Sequence, residues 1–343
     1  MNTETMRAVG LTKYLPIDDP QSLIDVVVKK PVPEGKDLLV SVKAISVNPV
    51  DTKVRSPKNR EEPEPRVLGW DVAGVVVAVG PECQLFKPGD EVYYAGSITR
   101  PGGNSEFHLV DERIVGAKPV SLDFSQAAAL PLTSITAWEG LFERLGIPLH
   151  PADNQGKTIL VIGAAGGVGS IATQLAKYAG LTVIGTASRA ESVEWTKKLG
   201  TDYVVNHFEE FGPQLQELGI QHVDYIFCLN STEKHWRSMA DVIAPQGKIC
   251  SIVETNELLD LNLFKNKSVT FVWELMFTRS MFQTDDMIQQ HHLLHEVARL
   301  VDEGVLQTTT TEKLTPINAE NLRKAHAMLE SGHTVGKVVL EHF

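Results

Sequence analysis

The stretch KTILVIGAAGGVGSIATQLAK, residues 157–177, predicts a strand, a glycine-rich turn and a helix in direct succession. The run ILVI at residues 159–162 is short, apolar and rich in β-branched side chains, which is typical of a buried parallel strand. Four glycines follow within residues 163–169, and apolar residues then recur at helical spacing. In this context glycines allow a tight turn and bring the backbone close to a pyrophosphate at the helix N-terminus.

We therefore expect a dinucleotide at this turn. The residues predicted to contact it are Gly163, Ala165, Gly166, Gly167 and Val168. The alternative is a close-packed strand–helix turn without a ligand.

Strands and helices alternate on the C-terminal side of the turn. Strands are predicted at residues 182–186, 203–206, 225–229, 247–253 and 268–273, and helices at 190–199, 209–218 and 234–243. This alternation predicts right-handed crossovers and a doubly wound parallel sheet, which binds its ligands at the carboxyl ends of the strands.

The regions before and after this alternating segment have a different sequence pattern. Residues 6 to 120 predict short strands separated by Pro-Gly turns, and residues 53–66 (KVRSPKNREEPEPR) predict a charged surface loop. Two helices at residues 285–303 and 319–329 precede a terminal strand, GKVVL, which has no local partner. We expect that strand to join a sheet of the first region.

Composition narrows the classes of function. The chain has 343 residues and a net charge of −11, which argues against bulk nucleic-acid binding and against a polybasic membrane surface. No apolar run approaches the roughly 20 residues that span a bilayer. Its three cysteines are far apart, and the N-terminal sequence has no secretory pattern. We expect a cytoplasmic protein with no membrane partner.

Five motifs carry a family resemblance. They are NPVD (48–51), GWDVAGVV (69–76), FKPGDEV (86–92), AAGGVG (164–169) and GKVVL (336–340). In this order they resemble the medium-chain dehydrogenase/reductase superfamily, and within it the zinc-free quinone oxidoreductase branch. The stretch WELMFTRSMFQT (273–284) is similar to the subgroup labelled zinc-type alcohol dehydrogenase-like.

The resemblance implies an α/β architecture of two domains. A GroES-like, β-rich catalytic domain would comprise residues 1–125 and 275–343, and a Rossmann cofactor-binding domain residues 126–274. Relatives are often dimers or tetramers, so we expect a homodimer, although no interface signature is visible in the sequence.

The zinc ligands of metal-dependent relatives are missing. Ser46-Val47-Asn48 stands where those relatives carry a cysteine, and Trp70 replaces the histidine of a Gly-His-Glu motif. Asp71 alone cannot hold the ion. His291 and His292 are adjacent on a predicted helix, where their side chains point about 100° apart. We predict that the protein has no functional zinc.

The end of the second Rossmann strand indicates the cofactor. NAD enzymes usually place an acidic residue there for the ribose 2′-hydroxyl, but this chain has Ala187. Ser188 and Arg189 follow, and both side chains suit a 2′-phosphate. The sequence therefore predicts NADPH, the alternative being a solvated arginine in a loop. By the resemblance, His207 lies near the adenosine phosphate, unless it is a plain surface histidine.

Hydride transfer to a quinone or an α,β-unsaturated carbonyl needs no Lewis acid. By the resemblance, Asn48 and Asp51 organise the nicotinamide end of the site, Asn48 by polarising the substrate carbonyl or holding the nicotinamide ribose. The alternative for this motif is an Asx-Pro turn. Thr133 resembles a residue near the nicotinamide or its phosphates, or else it caps a helix.

Four apolar and aromatic side chains complete the predicted site. They are Tyr94, Trp273, Met276 and Phe277, assigned to a substrate pocket, with core packing as the alternative. The leading hypothesis is an NADPH-dependent quinone or enone reductase acting on a small electrophile. The alternatives are an NADPH-binding sensor or structural protein with little turnover, and a cryptic zinc alcohol dehydrogenase.

Overall fold

A computed structural model describes residues 4–343, which divide into two compact units. The β-rich unit comprises the described residues up to Ile135, with Phe277–Gly304 and Thr308–Phe343. The parallel-sheet unit comprises Thr136–Met276 with Val305–Gln307.

Two sheets form the framework of the β-rich unit, and a parallel sheet forms the centre of the other. The strands are β1 (Thr5–Tyr14), β2 (Ile24–Lys29), β3 (Asp37–Ser46), β4 (Lys58–Val67), β5 (Val72–Val79), β6 (Glu91–Tyr94), β7 (Phe107–Asp111), β8 (Gly116–Ala117), β9 (Thr158–Ile162), β10 (Thr182–Thr186), β11 (Tyr203–Val205), β12 (Val223–Cys228), β13 (Ile243–Ser251), β14 (Thr270–Trp273), β15 (Thr310–Leu314) and β16 (Lys337–Glu341).

Helices connect the parallel strands and pack on the β-rich unit. The helices are α1 (Pro49–Arg55), α2 (Phe124–Ala128), α3 (Pro131–Trp138), α4 (Gly167–Tyr178), α5 (Ala190–Lys198), α6 (Phe211–Glu217), α7 (Thr232–Val242), α8 (Asn262–Lys265), α9 (Thr278–Phe282), α10 (Gln289–Asp302) and α11 (Ala319–Glu330). Helix α3 continues as a π-helix, Glu139–Arg144, and 3₁₀ turns form at Glu112–Ile114 and Pro151–Asn154.

The parallel-sheet unit has the predicted doubly wound architecture. Its strands lie in the order β11-β10-β9-β12-β13-β14, and every neighbouring pair is parallel. Strand β9 is buried at the centre, as expected for a run of apolar residues covered on both faces. The order reverses between β9 and β12, and this is where such sheets bind ligands.

The β-rich unit confirms the expectation for the terminal strand. Strand β16 pairs in parallel with β15 and antiparallel with β3. The sequence Thr310–Leu314 of β15 is polar and only partly buried, so its pattern did not predict a strand. Helix α2 packs against β3 and β5, so the β-rich unit extends to Ile135, beyond the domain boundary predicted at residue 125.

The prediction of a loop at residues 53–66 was wrong. Helix α1 occupies the start of this stretch, and β4 occupies the rest as a strand antiparallel to β1. The strand is exposed along most of its length and lies at a sheet edge, where proline and charged residues are tolerated because one row of backbone groups needs no partner. Tyr14 anchors it by donating a hydrogen bond to Glu62 and accepting one from Arg66 at 2.9 Å.

The three cysteines are free thiols. Within residues 4–343, none of the helices combines the length and the apolar character that crossing a membrane requires.

Candidate functional site

The glycine turn of the parallel-sheet unit joins β9 to α4. Gly163 has φ +87°, a conformation that favours glycine, and its N–H donates to Thr186 Oγ1 at 2.9 Å. A Cβ at Gly169 would lie 2.3 Å from the Gly163 carbonyl oxygen, so helix and strand can pack this closely only with glycine there. Gly166 is the N-cap of α4 and has an extended backbone. The N–H groups in the first turn of a helix have no partner within the helix and can bind a ligand.

The predicted contact residues lie on this turn and are accessible. Ala165, Gly166, Gly167 and Val168 are half-buried, whereas Ala164 is buried. Ala164 occupies the position of the first glycine in the usual fingerprint. Its methyl group fits because Gly185 of β10 lies opposite, where a Cβ would approach that methyl to 2.9 Å. The turn is therefore a free helix N-terminus that suits a pyrophosphate.

Polar side chains gather at the carboxyl ends of β10 and β11, which are neighbouring parallel strands. Ser188 and Arg189 are half-buried and directly follow β10. His207 follows β11, and its pKa is lowered by burial and then by the positive charge of Arg189, so the two side chains lie close enough to interact. Ala187 itself is buried. Ser188 and Arg189, which are predicted to bind the 2′-phosphate, thus directly follow an uncharged alanine at position 187 and lie near His207.

Ser231, after β12, is a residue of this edge whose conformation the sequence did not predict. It is left-handed, with φ 45° and ψ 62°, and precedes α7 as its N-cap. For a residue other than glycine this conformation costs about 1–3 kcal/mol. Four other non-glycine residues among those that the structure describes also have a positive φ, namely Gln246, Ser268, Gln283 and His342. Only a glycine or asparagine at the position would have signalled it.

A buried polar cluster of four side chains lies in the β-rich unit. Its members are Asn48, Asp51, Asp71 and Lys337, each at most 3% exposed. Lys337 Nζ donates to Asp71 Oδ2 at 2.9 Å and to Asn48 Oδ1 at 2.5 Å. Asn48 Nδ2 donates to Asp71 Oδ2 at 2.8 Å, and Asp71 Oδ1 accepts from the Leu132 amide at 2.8 Å. Every oxygen of Asp71 is thereby matched to a donor.

Asp51 is less completely paired than Asp71. Its Oδ2 accepts the Asn48 backbone N–H at 2.8 Å, which begins α1, while Oδ1 has no hydrogen-bond partner. Burial raises the pKa of Asp51 to about 7, against the hydrogen bond from Asn48 and the charge of Lys337. Burial also raises the pKa of Asp71, against the charge of Lys337 and its hydrogen bonds. Asp51 is therefore a carboxyl that can hold a proton near neutral pH.

The residues around Asp71 do not fit a zinc ion. Trp70 is buried in place of a histidine ligand, and its indole N–H donates to the Ser97 carbonyl at 3.2 Å. The ammonium of Lys337 already supplies the positive charge next to Asp71. In the part of the chain that the structure describes, no group of three or more His, Cys, Asp or Glu side chains is arranged to hold a metal.

Lys337 is the site residue that sequence reasoning missed. The motif GKVVL contains it, yet a lysine at the start of a terminal strand gave no reason to place it among carboxylates. A charged side chain next to three apolar residues of one buried strand was the only signal available.

Thr133 and Tyr94 have internal hydrogen-bond partners. Thr133 is buried in the first turn of α3 and donates to the carbonyls of Leu130 at 3.0 Å and Ala129 at 3.3 Å, so it does not cap the helix. Tyr94 is fully buried, stacks on His108 and lies 3.0 Å from its Nδ1. Their roles near the nicotinamide and the substrate stay predictions.

The three remaining pocket candidates are in different surroundings. Phe277 is buried in the β-rich unit, edge-on to Trp70 with ring centres 6.1 Å apart. Met276 is buried in the parallel-sheet unit, and Trp273 is 48% exposed at the end of the edge strand β14. A substrate pocket formed by these residues also stays a prediction.

Comparisons with known protein families agree with both units. Residues 34–120 match the alcohol dehydrogenase GroES-like domain, and residues 188–340 match the zinc-binding dehydrogenase domain. A zinc-type alcohol dehydrogenase-like protein of Staphylococcus aureus is 46% identical over 335 residues, covering 98% of this chain and 99% of the relative. The 2-methylene-furan-3-one reductase of Solanum lycopersicum is 38% identical over 216 residues, covering 60% of this chain and 53% of that protein.

Solved structures have the same fold over nearly the whole chain. A Rhizobium etli protein provisionally described as a zinc-dependent alcohol dehydrogenase superimposes with a TM-score of 0.94 at 53% identity, covering 99% of each chain. The Escherichia coli quinone oxidoreductase in complex with NADPH superimposes with a TM-score of 0.80 at 25% identity, covering 98% of this chain and 99% of its own.

Proposed function

The chain belongs to the medium-chain dehydrogenase/reductase superfamily, and we propose that this member is a zinc-independent, NADPH-dependent oxidoreductase that reduces a quinone or an α,β-unsaturated carbonyl compound. The observation that carries the proposal is the buried contact between Lys337 and Asp71. The Lys337 ammonium occupies the position beside the Asp71 carboxylate that a metal cation would take. Trp70 stands in place of a histidine ligand. A relative that reduces a furanone and one named as a quinone oxidoreductase support this reaction class.

A site without a metal favours reduction over alcohol oxidation. A Lewis acid would lower the pKa of an alcohol hydroxyl, and without one alcohol oxidation loses its main catalyst. NADPH, when bound, supplies a hydride to an electron-poor carbon. The protein then has to orient the two reactants and donate hydrogen bonds to the oxygen on which negative charge develops.

The turn and the end of β10 are our proposed cofactor site. The amides of Gly167 and Val168 at the start of α4 would hold the pyrophosphate, next to Gly166, whose own N–H donates to the Gly163 carbonyl at 3.2 Å. Ser188 and Arg189 would bind the 2′-phosphate, and His207 would line the adenosine end. The bound NADPH of the E. coli structure supports the choice of cofactor class.

Asn48 and Asp51 are the residues to which we assign the organisation of the nicotinamide end. Asn48 cannot rotate freely, since its side chain donates to Asp71 and accepts from Lys337. Asp51 fixes the start of α1 and orients this residue rather than transferring a proton to substrate. Thr133 near the cofactor, the four pocket side chains and a homodimer are further parts of the same proposal.

The test is turnover by the full chain after treatment with a chelator. Oxidation of NADPH is followed with a panel of quinones and α,β-unsaturated ketones, with NADH in parallel and with zinc measured by elemental analysis. We expect turnover with at least one electrophile, preference for NADPH, and no loss after chelation. Tight NADPH binding without turnover across the panel would instead identify a binding protein. Activity that needs added zinc would overturn the proposal.

A further inference from the structure

Three histidines lie within five residues of α10, on the β-rich unit. They are His291, His292 and His295. His291 and His295 are four residues apart, so they project from the same face of the helix on successive turns. His292 is displaced from His291 by about 100° around the axis. The pair that shares a face is therefore His291 with His295, and not the adjacent pair.

The two rings are as close as two ligands of one ion. The centres of the His291 and His295 imidazoles are 4.2 Å apart, with their planes 50° from each other. Metal–nitrogen bonds of about 2.0–2.1 Å place each imidazole centre about 3.2 Å from the ion, so two rings at tetrahedral or square-planar angles have centres about 4.5–5.3 Å apart. The observed separation is a few tenths of an ångström shorter, and a small rotation of the exposed His295 ring would open the pair to two-point coordination.

The second nitrogen of each ring fixes its tautomer. Nδ1 of His291 lies 2.7 Å from the Val115 carbonyl, and Nδ1 of His295 lies 2.9 Å from the His291 carbonyl. A ring nitrogen facing a carbonyl must carry the proton, so each neutral ring keeps its lone pair on Nε2. Histidines that bind metals almost always donate their other N–H to a carbonyl or carboxylate in this way.

The surroundings hold the pair in place and favour a cation. Phe86 packs edge-on against His291 at 5.6 Å between ring centres, and its ring centre is 6.3 Å from that of His295. Glu112 is buried, accepts the backbone N–H groups of Gln84 and Leu85, and lies 4.0 Å from the ammonium of Lys36. Its carboxyl group interacts electrostatically with His291. An ion here would meet a His291 ring held by Phe86, with an acidic side chain behind it.

We propose that His291 and His295 form a two-histidine site for a divalent late first-row transition-metal ion, with Cu²⁺ preferred. Imidazole nitrogen suits copper, nickel and zinc, and Cu²⁺ binds most tightly of the divalent series. Two protein ligands leave the remaining positions to water. The site is separate from Asp71 and its neighbours, and it does not depend on the proposed reaction.

The probe is Cu²⁺, titrated into the full chain without an affinity tag. Cys83 is replaced by serine in every sample, because a half-exposed thiol would reduce the ion. Electron paramagnetic resonance reports the number of nitrogen ligands. We expect one strong site with two imidazole nitrogens, weakened about tenfold or more by His295→Gln and by His291→Gln. The matched control, His292→Gln, should change affinity by less than about twofold. Its ring contacts that of His291 edge-on, with centres 5.4 Å apart, but projects about 100° around the helix axis from the pair.

His295 is exposed, so its substitution leaves folding intact, and a thermal melt without metal checks this. Equal Cu²⁺ binding by the parent and His295→Gln would overturn the proposal. An equal loss in His292→Gln would overturn the assignment to this pair. Failure of quinone reduction would leave the result unchanged, because the readout is spectroscopic.

Discussion

The ammonium of Lys337 lies 2.9 Å from a carboxylate oxygen of Asp71, and both side chains are buried in the β-rich unit. The two residues are 266 positions apart in sequence. In a place that excludes water, each charge is tolerated only because the other is present. The contact also attaches the terminal strand β16 to the segment that follows Trp70, so it links the last motif of the chain to the second.

Removing one partner should be costly. In Lys337→Met, the buried carboxylate of Asp71 keeps its bonds from Asn48 and Leu132 but loses its opposite charge, and the amide oxygen of Asn48 loses its donor. We expect the free energy of unfolding to fall by about 3–5 kcal/mol. Urea denaturation followed by circular dichroism measures the change.

Lys313→Met is the matched control. Lys313 is 42% exposed and forms its ion pair with Glu341 at 3.3 Å on the same sheet. A solvated pair of this kind contributes about 0–1 kcal/mol. Similar effects of the two substitutions would contradict the importance of the buried contact.

The local sequence pattern predicted the strands and helices whose side chains are buried in the core. Strand β9, the turn and α4 follow from an apolar run, glycines and helical spacing, all within one short segment. Strand β4 could not be predicted, because an exposed edge strand needs no alternation of apolar residues and is held by backbone pairing with β1. Charged residues with prolines indicate a loop unless the partner strand is known.

Long-range contacts explain what was missed in the candidate site. Asn48 and Asp51 were predicted from their motif, and Asp71 only as an insufficient zinc ligand. The position of Lys337 depends on how β16 pairs with β3, which no local signal determines. The pairing of His291 with His295, outside this site, follows from local spacing, because residues four apart share a helix face.

Asp51 should make stability depend on pH. Its pKa rises from 3.8 to about 7 in the folded protein, mainly through burial. Between about pH 4 and 7 the folded chain therefore holds a proton that the unfolded chain releases, and stability should fall as pH rises, by about 2–4 kcal/mol. Asp51→Asn keeps an acceptor for the Asn48 amide but cannot ionise, so urea midpoints of this variant should vary less across that range. An unchanged pH profile would contradict the raised pKa.

Two glycines of the turn should respond differently to alanine. A Cβ at Gly169 meets backbone atoms at 2.3 Å, whereas a Cβ at Gly166 meets nothing closer than 3.5 Å. We expect Gly169→Ala to destabilise the protein without ligand by about 1–3 kcal/mol. Gly166→Ala should leave that stability nearly unchanged and weaken NADPH binding, because the methyl group points into the proposed pyrophosphate site. Thermal melts without NADPH and fluorescence titration with it separate the two effects. Equal melting temperatures of the two variants would contradict the packing argument.

The residues after β10 should determine the choice between the two nicotinamide cofactors. Arg189→Ala removes the cation proposed to bind the 2′-phosphate and should raise the KM for NADPH about tenfold, while the KM for NADH changes little. Ala187→Asp restores an acceptor for the ribose hydroxyl and should shift the preference towards NADH. Steady-state kinetics with both cofactors measure the shift. Equal changes in the KM for NADPH and for NADH in Arg189→Ala would mean that Arg189 does not bind the 2′-phosphate.

Glu274 of the parallel-sheet unit should extend the pH dependence to alkaline conditions. The side chain is buried beside Glu139, and Arg144 Nε lies 2.8 Å from its Oε2. Burial and then the neighbouring Glu139 raise the pKa of Glu274 well above its usual range in spite of that arginine. The folded chain thus keeps a proton that the unfolded chain loses above about pH 4.5, and stability should continue to fall as the pH rises above 7.

Glu274→Gln cannot ionise and should remove this alkaline slope, so its urea midpoint should fall less than that of the parent between pH 7 and pH 9. Glu143→Gln is the control, because Glu143 is 28% exposed and its contact with the same arginine is longer, at 3.8 Å. Urea midpoints measured at pH 7 and pH 9 give the comparison. A steeper alkaline loss in Glu274→Gln than in the parent would mean that Glu274 is ionised in the folded protein and stabilised by Arg144.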